Sequence, residues 1–278
     1  MREDLAVAAD TLARAGVDTP RADAEWLLAG LLGVGRARLA AGLDAELDVE
    51  TARRFEDAVR RRARREPLQH ILGWEEFRGL RVAVSPSVLV PRPETESLVE
   101  WALELAPSPR VVVDVGTGTG CVACAIAHER PGATVIAVER APAAAAVAHA
   151  NVAALGLGDR VRVVIGDLLG AVREATADLI VANLPYVPTA TLTTLPPEVA
   201  TYEARSAVDG GPDGLAEIRR LVAMSPRRLG AGGALVLETA GGTQTPEVVR
   251  LMRAAGFEDV ATRRDLPGIE RFVAGRWS

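Results

Sequence analysis

The sequence implies an α/β protein: an open, mainly parallel sheet, preceded by a small helical region and joined to it by a β-hairpin. Three observations support this. The first seventy or so of the 278 residues carry apolar side chains at helical spacing, residues 73–90 switch to short β-type runs, and the remainder alternates apolar strand runs with helical stretches. Strands covered on both faces by crossover helices read as continuous apolar runs, not as strict alternation.

The elements follow in order. Leu5, Ala8, Ala9 and Leu12 predict a first helix stopped at Gly16; Asp18-Thr19-Pro20 opens a second, with Ala24, Leu27, Leu28 and Leu31 as its apolar stripe. A third runs from about Asp48 to Arg65, turning Phe55, Ala58 and Val59 inward. Its basic end (Arg60, Arg61, Arg62, Arg64, Arg65) suits the negative pole of a helix and reads as a solvated face, with contact to a partner as the sharper alternative. Phe77, Leu80, Val82, Val84, Val88 and Val90, broken by Gly79 and Pro86, predict the hairpin. Strands are then expected at Val111–Val115, Thr134–Val138, Val161–Ile165, Asp178–Ala182, Ala234–Leu237 and Phe272–Val273. Helices lie between them: one through Ala127, an alanine-rich one to Leu155, and one ending near Leu229.

Composition excludes some classes of function. The net charge of −5 argues against a dedicated binder of duplex nucleic acid. No run reaches bilayer-spanning length and the first residues lack a signal layout, so no membrane association is expected. Cys121 and Cys124 make no disulfide framework, which places the protein in a reducing cytoplasm. Their C-x-x-C spacing falls on a helix, where small apolar packing is the simpler reading. His70, His128 and His149 are scattered, and no metal site is expected.

Four signals carry chemistry. Asp114-Val115-Gly116-Thr117-Gly118-Thr119-Gly120 ends a strand and opens a helix. Its G-x-G-x-G spacing differs from the dinucleotide fingerprint and no Walker lysine follows, so it suits a nucleoside with a methionine tail. Glu139, ending the next strand, is positioned to accept both ribose hydroxyls; Asp167 ends the third and suits the adenine amino group, with Leu168 covering the ring. Asn183-Leu184-Pro185-Tyr186 follows the fourth strand. An amide nitrogen is a poor nucleophile because its lone pair is delocalised. Accepting both of its N–H groups, on the Asn183 side-chain oxygen and the Leu184 carbonyl, would aim its π face at a donor methyl. Tyr186 suits packing on the planar amide and attraction of a sulfonium, and Pro185 stiffens the turn.

With these residues in view, the sequence resembles the release factor glutamine methyltransferase family over nearly its whole length. Pro67-Leu68-Gln69-His70-Ile71-Leu72-Gly73, Phe77, Val90-Pro91-Arg92-Pro93-Glu94-Thr95-Glu96, Asp114–Gly120, Asn183–Tyr186 and Asp209-Gly210-Gly211-Pro212-Asp213-Gly214-Leu215 carry the similarity, and Glu203 matches the family's acid after the Asn183 loop. The resemblance implies a Rossmann-like, seven-stranded class I methyltransferase domain (91–278), a helical substrate-binding domain (1–72) and a hairpin linker (73–90). It also implies S-adenosyl-L-methionine as cofactor, bordered at its methionine end by Arg92 and Thr95. The implied partner is a protein substrate, a peptide chain release factor methylated on a glutamine. The net charge leaves no part for DNA, and a monomer is expected. Two departures stand out: Leu184 where the family has a first proline, and Glu238-Thr239-Ala240 where it has Glu-Ile-Gly. An amino-group methyltransferase of the N6-adenine type, and a cofactor-binding scaffold without turnover, remain the alternatives.

Overall fold

The structure, a computed structural model, describes residues 1–43 and 45–278. In chain order it begins with α1 (Arg2–Arg14), α2 (Pro20–Leu32), α3 (Arg36–Ala41), α4 (Val49–Ala63) and α5 (Leu68–Leu72), then the strands β1 (Trp74–Phe77) and β2 (Leu80–Ala83). There follow α6 (Pro93–Leu105), β3 (Val111–Val115), α7 (Cys121–Glu129), β4 (Thr134–Glu139), α8 (Pro142–Ala154), β5 (Val161–Ile165) and β6 (Ala177–Ala182). Last come α9 (Pro197–Tyr202), α10 (Arg205–Val208), α11 (Ala216–Met224), β7 (Leu229–Glu238), α12 (Gln244–Ala254), β8 (Glu258–Arg264) and β9 (Glu270–Arg276). Two compact units result, residues 1–74 with 195–202 and residues 75–194 with 203–278.

The helical unit is built on the stripes anticipated from sequence. Leu5, Leu12, Leu27, Leu28 and Phe55 form its core, and Asp48 caps α4 by accepting the Thr51 N–H at 3.0 Å. Its basic run differs from the solvated face expected. Arg62 is buried, donating to Asp23 at 2.7 Å and to Glu198 at 2.8 Å. Arg65 donates twice to Glu198, at 2.6 and 2.8 Å, and Arg61 pairs with Glu66. Buried charge is tolerated only when paired, so much of this run is tied up inside the unit; Arg60 and Arg64 keep the exposed character anticipated.

The larger unit holds a seven-stranded sheet in the order β5-β4-β3-β6-β7-β9-β8. Neighbours from β5 to β7 are parallel, and β9 runs antiparallel to both β7 and β8. Apolar cores line both faces. Val112, Val135, Leu179 and Val236 pack with α6 and α7 on one side; Val113, Ile180, Leu235 and Val273 pack with α11 and α12 on the other. This double burial is why the central strands read as unbroken apolar runs. β8 left no such trace, because it is a mostly exposed, polar edge strand. Likewise, the helix expected to end near Leu229 stops at Met224 and Leu229 already belongs to β7.

β1 and β2 form the expected hairpin around Arg78 and Gly79, both at positive φ (48° and 74°), as a tight two-residue turn requires. Asn151, buried on α8, ties that hairpin to the glycine loop: its side chain accepts the Ala83 N–H at 2.7 Å and donates to the Ala83 carbonyl at 3.0 Å and the Thr119 carbonyl at 2.8 Å. Among the described residues no helix is long and apolar enough to cross a membrane.

Candidate active site

From β3 the chain runs outward through β4 to β5, then returns to the other side of β3 as β6. Ligands of open α/β sheets bind at such a reversal, beyond the carboxyl ends of the strands. A cleft of about 1000 Å³ opens there. Its walls bring together Arg92, Thr95, Asp114, Gly116, Thr117, Gly118, Glu139, Asp167, Leu168, Asn183, Leu184 and Pro185. Gly120 and Tyr186, also singled out from sequence, lie outside this lining. Gly120 brings α7 close to α8, where an added Cβ would sit 3.3 Å from that of Ala148.

The glycine loop takes positive φ at Gly116 (73°), Gly118 (54°) and Gly120 (80°), which L side chains resist. The N–H groups of Gly116 and Thr117 both donate to the Val138 carbonyl, at 2.9 and 3.0 Å. Asp114 is turned into the loop, accepting the Thr117 hydroxyl at 2.5 Å and the Ala123 N–H at 3.1 Å. Burial pushes its carboxyl up to about 7, the two hydrogen bonds offsetting part of that.

Glu139 receives the Gly118 N–H on one oxygen (3.0 Å) and the Ala141 N–H on the other (2.9 Å). Each oxygen keeps acceptor capacity, so the fixed carboxylate fits a vicinal diol. Asp167 pairs with Arg220 and is held below its ordinary range by that guanidinium. Leu168 beside it is buried at a positive φ of 48°.

The Asn183 turn meets the glycine loop directly, because Val115 and Ala182 are register partners at the ends of β3 and β6. Leu184 is buried, and its Cδ2 lies 2.9 Å from where a Cβ on Gly116 would stand. The family's first proline would supply stiffness here through its ring; Leu184 supplies anchorage through packing instead. Two further contacts hold the turn. Gln244 donates to the Tyr186 carbonyl at 2.8 Å. The segment 209–215 fits flush against it: a Cβ on Gly210 would stand 2.6 Å from the Pro185 carbonyl oxygen, and one on Gly214 2.1 Å from that of Tyr186.

Behind the turn lies a polar network in which Glu238 is the member the sequence did not announce as part of the site. Asn183 Nδ2 donates to Thr95 Oγ1 at 2.9 Å, and that hydroxyl donates to Glu238 Oε2, also at 2.9 Å. The Tyr186 hydroxyl donates to Glu238 Oε1 at 3.4 Å. Burial pushes Glu238 up to about 7, with the Thr95 hydroxyl and the Arg271 charge pulling the other way; burial also raises Tyr186. Arg92 donates to both oxygens of Glu203, at 2.8 and 2.7 Å, and Glu203 also accepts the Val90 N–H at 3.3 Å. Burial raises Glu203 despite Arg92. Glu203 was legible as a motif match, whereas Glu238 stood only as the retained first residue of a motif that departs at Thr239 and Ala240, and Gln244 carried no signal.

Cys121 and Cys124 are buried on α7, their thiols pushed up to about 12 by burial.

Two stretches of the chain match known protein families. Residues 3–73 match the PrmC N-terminal domain and residues 95–196 the methyltransferase small domain. The chain is 45% identical to the release factor glutamine methyltransferase of Geobacter sulfurreducens, covering 95% of this chain and 92% of that one. It is 44% identical to that of Mycolicibacterium smegmatis (98% and 96%) and 44% to that of Moorella thermoacetica (99% and 98%). Among solved structures, the hMettl16 catalytic domain bound to a MAT2A 3′UTR hairpin shares the fold, with a TM-score of 0.61 at 18% identity over 83% of this chain and 81% of that one. With a glycine loop, strand-end acids and an Asn183 turn meeting in one cleft, and with near-full-length identity of this order, the chain belongs to the release factor glutamine methyltransferase family.

Proposed function

We propose that this enzyme transfers a methyl group from S-adenosyl-L-methionine to the side-chain amide nitrogen (N5) of a glutamine in a peptide chain release factor, acting as a monomer in the cytoplasm. One observation carries the reading: the Asn183 turn and the glycine loop are side by side, with Leu184 packed under Gly116. A planar nitrogen held at the turn is therefore within reach of a group bound on the loop.

The residues present fit the cofactor. The cleft offers an oriented carboxylate in Glu139, an acid at Asp167, and a loop on which Gly118 has open space where a Cβ would stand. Arg92, held by Glu203 through one nitrogen, presents its other N–H groups to an α-carboxylate. When bound, S-adenosyl-L-methionine supplies an electrophilic methyl on a cationic sulfur.

The chain's own contribution is positioning. Asn183 Oδ1 and the Leu184 carbonyl accept the two N–H groups of the substrate amide, fixing its plane. Pinning a weak nucleophile in an attack geometry lowers the barrier because the entropic cost is met on binding. No side chain need take a proton beforehand, since the nitrogen releases it to water after gaining the methyl. Leu184 loses nothing as an acceptor, because every residue carries a backbone carbonyl.

The test combines the purified protein, isotopically labelled cofactor and a release factor, with mass spectrometry locating the methyl. Label on a glutamine side chain is expected. Label on nucleic acid, or binding without turnover, would replace this reading with one of its alternatives. Asn183→Ala is expected to lower kcat at least 100-fold while cofactor affinity in calorimetry stays within about threefold.

A further inference from the structure

The Asn183 amide is chemically two-faced. Its oxygen accepts hydrogen bonds and its NH2 donates them, and the two ends have almost the same shape. Only the oxygen serves a substrate N–H, so a site using it must prevent the side chain from turning over. We propose that Glu238 is the positioning residue that sets this orientation, acting through the Thr95 hydroxyl; the inference rests on Asn183 being the acceptor of the substrate amide.

The argument is one of proton order. Thr95 Oγ1 has a single proton and lies 2.9 Å from both Glu238 Oε2 and Asn183 Nδ2. An ionised carboxylate only accepts, so the Thr95 proton must point at Glu238. The hydroxyl can then only accept from Asn183, which requires the NH2 end to face Thr95 and leaves Oδ1 to the cleft. A protonated Glu238 reverses the chain: it donates to Thr95, the hydroxyl donates to Asn183 Oδ1, and the NH2 end faces the substrate. All members are in place for such control. Thr95 is 3% and Glu238 1% exposed, so water does not compete for these bonds.

Among the described residues, these groups act on Glu238. Thr95 and Glu94 come from α6, the Tyr186 hydroxyl from the turn after β6, and Arg271 from β9, where Asp265 holds it at 2.6 Å. Arg271 favours the ionised carboxylate, and Glu94 opposes it. With burial lifting Glu238 to about 7, the orientation of Asn183 is coupled to pH near neutrality.

The proposal also reassigns Thr95. As a neighbour of the methionine end of the cofactor, its loss would weaken cofactor binding. As a relay, its loss lowers kcat and spares that affinity. The experiment measures kcat with release factor, and cofactor Kd by calorimetry, for the full-length protein and Thr95→Val, Thr95→Ser and the isosteric Glu238→Gln.

Thr95→Val is expected to cut kcat roughly 10- to 100-fold with cofactor Kd changed less than about threefold, and Thr95→Ser to restore most of the rate. In the parent enzyme kcat should fall about tenfold per pH unit on an acid limb near pH 7 that Glu238→Gln removes. A Thr95→Val enzyme with weakened cofactor binding and full kcat at saturation would overturn the proposal, as would an unchanged acid limb in Glu238→Gln. Should these variants behave normally while Asn183→Ala is inactive, the relay fails and the amide clamp stands; should Asn183→Ala remain active, the clamp itself fails.

Discussion

Gly214 shows how little room the turn around Asn183 leaves. A methyl group there would stand 2.1 Å from the Tyr186 carbonyl oxygen and 2.3 Å from Gln244 Nε2, at a φ of 79°. Backbone cannot yield as a flexible side chain does. Gly214→Ala is therefore expected to cost roughly 2–4 kcal/mol, as overpacking added to a left-handed backbone. Urea denaturation measures that loss, and kcat should fall as the turn is pushed aside. Leu184 gives the complementary case. It is 5% exposed in the core under Gly116, so Leu184→Ala should cost roughly 2–4 kcal/mol through its cavity. Because its carbonyl survives, an unchanged kcat in Leu184→Ala would show that the side chain anchors the turn for stability alone.

Larger pieces are joined by single buried polar side chains. Asn151 satisfies both backbone groups of Ala83 and the Thr119 carbonyl, linking β2, α8 and the glycine loop. Asn151→Ala strands those groups in a dry environment, with an expected cost of roughly 2–4 kcal/mol and faster amide hydrogen exchange at Ala83. Glu198 does comparable work in the helical unit, fastening α9 to Arg62 and Arg65 at the end of α4. Burial opposes its charge, but the Arg65 and Arg62 hydrogen bonds prevail and hold it at about 2, against an ordinary 4.5. The sign follows from the lowered value: this stabilisation is complete above pH 4.5 and lost as pH falls toward 2. Glu198→Gln should thus cost roughly 1–3 kcal/mol at pH 7 and flatten the acid unfolding of the helical unit followed by circular dichroism.

For the molecule as a whole, Asp114 and Glu238 act in the opposite sense. Burial raises both to about 7, from ordinary values of 3.8 and 4.5. A raised carboxyl contributes stability that is present below its unfolded pKa and disappears as pH climbs through the folded one. Each site should then cost on the order of 3 kcal/mol between pH 4 and pH 8. Asp114→Asn is expected to reduce the downward slope of stability across that window, seen as a smaller drop in thermal midpoint. A ligand that binds only the folded state restores part of what these charges cost: saturation at 100 times Kd adds about 2.7 kcal/mol. S-adenosyl-L-methionine should therefore raise the midpoint, and Glu139→Ala, which removes the carboxylate fixed by Gly118 and Ala141, should diminish that rise.

The amino-acid order alone revealed the elements with strong periodicity and the motifs at strand ends. The stripes of α1, α2 and α4, the apolar runs of β3 to β6, and Gly116, Glu139, Asp167 and Asn183 at their carboxyl ends were all readable, because doubly covered strands and sharp turns constrain residue type locally. Folding in three dimensions supplied what local pattern cannot encode. β8 is an exposed edge whose partner alone makes it a strand. Arg62 and Arg65 resembled a solvated run until Asp23 and Glu198, distant in sequence, came to meet them. Glu238 gained its place behind Asn183 only when β7, α6 and β6 came together. Burial, ion pairing and proton order depend on neighbours in space, and those neighbours are fixed by packing across the sheet.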